Sequence, residues 1–192
     1  MKARFWRLYF NQAAAWCVLF RRRDVAIEFY RRMLVLDPTD THAHASIGYQ
    51  YQQLGRKREA LAQFDRVIEL RPADAEAHFN RGYLLQEFNQ HDEAMAAFRR
   101  SLESNPDHDR ALYGLALSLI AERRLEEAVA PLKRNTRLQP MSPYGWYQLG
   151  RVQRDLGRVK ETQAVLDHLA TFDPDVARQL ARETGLTSAI LE

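Results

Sequence analysis

Apolar and polar positions along this chain recur together every 34 residues. Small side chains stand at Ala26, Ala60, Ala94 and Ala128, with Thr162 next in phase, and bulky ones at Tyr30, Phe64, Phe98, Leu132 and Leu166. A second small series runs Ala14, Gly48, Gly82, Ala116 and Gly150, and prolines fall at Pro38, Pro72, Pro106, Pro140 and Pro174. Four registers at one spacing mark an internal repeat whose units bury a core only by stacking. The intervening segments are rich in Ala, Leu, Arg, Glu and Gln, which favour helix, and no Val/Ile/Thr alternation suggests a strand. Gly55, Asn89 and Gly157 sit where a left-handed residue would end a first helix. Each proline stops a second helix. Asp40, Asp74 and Ser142 are placed to cap the next helix, with Pro143 suited to a first helical position.

The pattern predicts ten helices in five antiparallel pairs. First helices begin near residues 7, 41, 75, 109 and 143, and second helices near 24, 58, 92, 126 and 160. Pro131 lies within the second helix of the fourth pair and should bend it. An eleventh helix over 175–184, stopped by Gly185, sets Val176, Ala177, Leu180 and Ala181 against Arg178, Gln179, Arg182 and Glu183. Such a two-faced helix suits the open end of a stack.

These registers resemble the tetratricopeptide-repeat (TPR) family, whose 34-residue unit carries an aromatic, Leu-Gly and Tyr on one helix and Ala, an aromatic and Pro on the next. Trp146, Leu149-Gly150, Leu166 and Pro174 match it, as do Ile47-Gly48, Tyr51, Ala60, Phe64 and Pro72. The resemblance covers residues 7–174. It implies an all-α, right-handed α-solenoid of five antiparallel helix pairs plus a capping helix, forming a single domain over 1–192. The repeats are then 7–40, 41–74, 75–108, 109–142 and 143–174, with a capping helix at 175–185 and a tail at 186–192.

By the same resemblance, the first helix of each pair lines a concave groove. The implied partner-binding set is Tyr49, Gln52, Phe79, Asn80, Tyr83, Gln86, Arg110, Tyr113, Tyr144, Tyr147, Gln148, Arg151 and Arg154. Tyrosines and phenylalanines there offer flat apolar area, and the amides can serve a peptide backbone as donor and acceptor. Within the family, one carboxylate-gripping set is matched here only by Asn80 and Arg110, with Ala45, Tyr49 and Gly114 at its other positions, so that activity is not expected. Arg110, Arg151 and Arg154 either receive an acidic ligand end or pair with Glu76 and Asp155.

The N-terminal segment departs from a plain repeat. Between Leu8 and Phe20 only Asn11 and Gln12 are polar, and Phe5, Trp6, Tyr9, Phe10, Trp16 and Phe20 surround the helix axis. A helix that is apolar all round expects burial, yet only one side can meet its own repeat. Three covers are open: a partner protein or second copy of the chain, a membrane surface approached through Lys2, Arg4, Arg7 and Arg21–Arg23, or residues 1–6 folding back. The docking set is Phe5, Trp6, Tyr9, Phe10, Trp16 and Phe20.

Charge sharpens this picture. Residues 1–40 carry eight Lys/Arg against four acids, while the whole chain is only +3. The basic excess is local, and no basic stripe continues along the chain, so nucleic acid is not the expected partner. The apolar run of 13 residues would span about 20 Å as a helix, short of a bilayer core of ~30 Å, and it lacks a small-x-small cleavage site. Cys17 is the one cysteine, which fits a reducing, cytoplasmic setting, with peripheral membrane contact as the variant.

No phosphate loop, nucleophile elbow or zinc-protease motif is present. His42 and His44 point to different sides of a helix, and Cys17 falls at a core position. The expectation is a non-catalytic protein-binding scaffold, without cofactor or metal. The alternative is a structural subunit or assembly factor docked to a membrane complex or surface through the N-terminal helix.

Overall fold

In the computed structural model, residues 2–191 are described, with side chains from Arg4 onward. The Lys2 side chain and Glu192, both within the expectations above, lie outside the described residues. Eleven helices and no strand occupy that span: α1 (Lys2–Leu19), α2 (Arg23–Leu36), α3 (Thr41–Gln53), α4 (Lys57–Leu70), α5 (Ala75–Glu87), α6 (His91–Ser104), α7 (Asp109–Ala121), α8 (Leu125–Leu138), α9 (Pro143–Asp155), α10 (Val159–Phe172) and α11 (Pro174–Thr184). Four of the first-helix starts fall at the expected residue, and the second helices start one residue earlier than expected. The exception is α1, which begins at Lys2. Residues 2–6 therefore continue the helix and do not fold back as a cap.

Each hairpin turn is closed by a residue with positive φ: Arg21 (57°), Gly55 (74°), Asn89 (58°), Arg123 (59°) and Gly157 (73°), again 34 apart. Gly and Asn take this conformation readily, whereas a long side chain is strained there. Arg123→Gly is accordingly expected to raise stability by about 0.5–1 kcal/mol, seen as a rise in thermal midpoint with an unchanged helical spectrum.

The inter-repeat turns are built from side chains. Asp40 caps Ala43 N–H at 3.1 Å and Asp74 caps Ala77 N–H at 2.9 Å. Ser142 makes no cap hydrogen bond, although Pro143 takes its expected place at the start of α9. His108 instead accepts from Ala111 N–H in the remaining turn. A ring N–H from the fourth position of the following helix then ties the turn to its proline carbonyl: His44 to Pro38 (3.1 Å), His78 to Pro72 (2.8 Å) and Trp146 to Pro140 (2.9 Å). The fourth-position histidines are thus packing and turn-closing residues.

The chain divides into two compact units, Met1–Leu84 and Leu85–Glu192. In the first, α1/α2 and α3/α4 form hairpins whose core holds Ala14, Ala26, Tyr30, Met33, Ile47, Ala60 and Phe64. The Phe64 ring lies 3.0 Å from where a Cβ on Gly48 would stand, so the small register lets the bulky register close onto a neighbouring helix. In the second, α7/α8 and α9/α10 form hairpins, with α6 against α7 and α11 against α9 and α10. There the Phe98 ring fills the space over Gly114, and Leu180 of α11 that over Gly150. Helix α8 runs unbroken through Pro131 for the same 14 residues as the other second helices. Cys17 is half-buried against the first core.

Candidate partner-binding surfaces

In the first unit, the first-helix faces carry His42, whose imidazole meets Asn11 at 3.0 Å. These two, with Arg4, Arg7, Leu8 and Met33, line an open pocket of about 360 Å³. Arg7 Nε lies 2.8 Å from Asp40, whose side chain is almost wholly buried. Asn80 is buried and spends its amide on the Tyr49 hydroxyl (2.9 Å) and the Glu76 carbonyl (2.7 Å). Phe79 is buried, Gln52 is half-buried, and Tyr49 and Tyr83 are exposed. The ring of Tyr49 packs edge-on against Phe64.

In the second unit, Gln86 donates to the Gly114 carbonyl (3.1 Å) and the Ser118 hydroxyl (3.0 Å). Tyr113 is half-buried; burial pushes its phenol up, and a hydrogen bond with Gln148 works in the opposite sense. Arg110 is exposed, and Tyr144 is the most open of the aromatic side chains in this unit, at 71%.

Tyr147, Arg151 and Arg154 converge on a group missing from the sequence-based set, the carboxylate of Glu183 in α11. Tyr147 donates to it at 2.5 Å, and Gln179 bridges to the same phenol at 2.7 Å. Arg151 Nε stands 3.5 Å from the carboxylate, and Arg154 donates to the Glu183 backbone carbonyl at 3.1 Å while pairing with Asp155. The end helix thus supplies an acid to the aromatic-cationic face of α9. The signal was in the sequence: Gln179 and Glu183 lie one turn apart on the polar side of α11.

The Tyr147 hydrogen bond is the main reason the Glu183 carboxyl sits below the usual carboxylate range. A carboxylate with a lowered folded pKa stabilises above its unfolded pKa and loses that contribution as pH falls through the folded value. Wild type is therefore expected to exceed Glu183→Gln in stability at neutral pH. The gap should be under about 1 kcal/mol, because the group is largely solvated, and it should close below about pH 4.5. Urea midpoints at pH 7 and pH 3.5 check this.

On α1, Phe5, Trp6, Leu8, Tyr9, Trp16 and Leu19 are all exposed, as is Phe20 just beyond it. Trp6 stacks on Phe10 and Trp16 on Phe20, while Phe10 turns inward towards Phe29. No described helix is long and apolar enough to cross a membrane. Among the described residues, no group of three His, Cys, Asp or Glu could hold a metal ion.

Residues 47–102 and 84–140 match the family model described as tetratricopeptide repeat. No curated protein matches the sequence. Several solved structures share the fold. A MamA double mutant (MamA RS-1 ArsTM) is 20% identical, with 93% of this chain and 96% of that one covered at a TM-score of 0.77. YrrB, described as a TPR protein with an unusual peptide-binding site, is also 20% identical, with 90% of each chain covered at 0.77. PilF of Pseudomonas aeruginosa is 16% identical, covering 96% of this chain and 87% of that one at 0.79.

Proposed function

This chain is a tetratricopeptide-repeat protein, and we propose that it is a non-catalytic scaffold that holds a peptide or partner protein on the concave faces of its first helices. The observation that carries the reading is the exposure of Tyr83 and Tyr144 on those helices. Two-torsion aromatics held on rigid helices are favourable binding anchors, because little rotamer entropy is lost on contact. The peptide-binding site described for YrrB supports the same use of this fold. Asn80 and Gln86 act by fixing neighbouring groups, while Tyr83 in the first unit and, separately, Arg110, Tyr144 and Gln148 in the second offer contact surface. The protein works in a reducing, cytoplasmic compartment.

Co-purification from native lysate tests this. Tyr83→Ala/Tyr144→Ala is expected to weaken capture of a partner by about tenfold or more while the helical spectrum is retained, as for loss of two hot-spot aromatics. Unchanged capture would remove these first-helix faces from the account.

A second reading is favoured by the six exposed large apolar side chains on α1, with Phe20 just beyond it. In it the chain is a structural subunit or assembly factor docked through that helix.

A further inference from the structure

We infer that the outer face of α1 lies in the plane of an anionic lipid surface; this rests on the docking reading just given and names what the helix docks to. The inward side of α1 is spent, with Ala14 fully buried and Phe10, Cys17 and Val18 packed on the core. At 100° per residue, the positions from Leu8 round through Phe20 to Trp6 cover roughly 160° of the opposite side, and Gln12 is the one polar residue among their described side chains. That arc is wider than the narrow seam of a helix pair. It carries two tryptophans and a tyrosine, the residues that settle at a headgroup boundary.

Charge selects the lipid. No Asp or Glu occurs before Asp24. Arg7 is engaged by Asp40 and Arg23 by Gln50. Arg4 at one end of the helix and Arg21 and Arg22 just beyond the other are exposed, and their guanidinium groups make no hydrogen bond or ion pair with any described residue. Because both ends are basic, pairing of this face with its own copy sets arginine against arginine in either direction. A fluid anionic surface meets both ends and the apolar arc together, and each arginine near it adds attraction.

Vesicle flotation with the full chain is the test. Phosphatidylcholine vesicles are compared with vesicles containing about 30% phosphatidylserine, at low salt and at roughly 0.5 M salt. Binding is expected only to the anionic vesicles, falling with salt. Arg4→Glu/Arg22→Glu should lower partitioning roughly 30-fold or more, and Trp6→Ala/Trp16→Ala about tenfold or more. These four side chains are exposed, and circular dichroism is expected to show the fold unchanged.

Binding that ignores lipid charge, or that survives both variants, overturns the inference. Sedimentation velocity separates the other occupants. Self-association abolished by Trp6→Ala/Trp16→Ala, without vesicle binding, assigns the face to a second copy. Loss of a co-purifying protein in the same variant, without vesicle binding, assigns it to a protein partner. In both cases docking through α1 stands and the lipid inference falls; if neither vesicle binding nor association responds, both fall.

Discussion

Phe98→Ala is expected to destabilise the second unit by about 3–5 kcal/mol, the range for emptying a large aromatic site in a core. Phe98 is wholly buried, and its ring tip lies 2.5 Å from the place a Cβ would occupy on Gly114. The aromatic and the glycine are two halves of one fit. Gly114→Ala alone is therefore expected to cost about 1–3 kcal/mol by overpacking, after the alanine's better helix propensity is counted. In a Phe98→Leu background the same Gly114→Ala change should cost distinctly less, because the shorter side chain vacates the contested space. Urea unfolding of the four proteins in that cycle gives the coupling directly. Additive effects would show that the ring and the glycine do not constrain each other.

The second large effect is expected at the C-terminal end. Leu180→Ala should cost about 2–5 kcal/mol. Leu180 is fully buried over Gly150, with a methyl 2.6 Å from the position of an added Cβ there. It is the main apolar anchor of α11, supported by Ala177. With Leu180 shortened, α11 is held chiefly by the polar group around Tyr147 and Glu183, and solvated pairs of that kind contribute little. The loss should be local first: amide exchange in α11 is expected to accelerate before that of α7 and α8. Uniform acceleration would mean that the end helix does not unfold separately.

Much of the fold could be read from the chain because the repeat turns local preferences into a pattern. Pro38 to Pro174 located the turns, and Ala26, Phe64 and their equivalents located the buried faces. Asp40 and Asp74 cap as expected because a short carboxylate reaches the N–H three residues on. Ser142 does not, and nothing in the structure explains the difference. Arg21 and Arg123 close hairpin turns that glycine or asparagine closes elsewhere; residue type gave no hint of them, though their spacing did. The site was less legible. Family positions name helix faces, but not whether a side chain there is already spent. Asn80 and Gln86 are committed to neighbours within their own units, and Tyr147, Arg151 and Arg154 meet α11, a helix outside the repeat frame. Such pairings depend on which side chain stands opposite in the neighbouring helix, which a 34-residue register does not encode.

The proline-carbonyl bonds of His44, His78 and Trp146 have a consequence for how such a chain can change in length. Each joins two residues six apart, so both partners travel on the same short stretch of gene. An in-phase duplication or deletion of one 34-residue period delivers a new turn with its closing bond already inside it. What must be matched afresh is only the pair of faces brought together at the new junction, the ring of one unit and the small residue of the next.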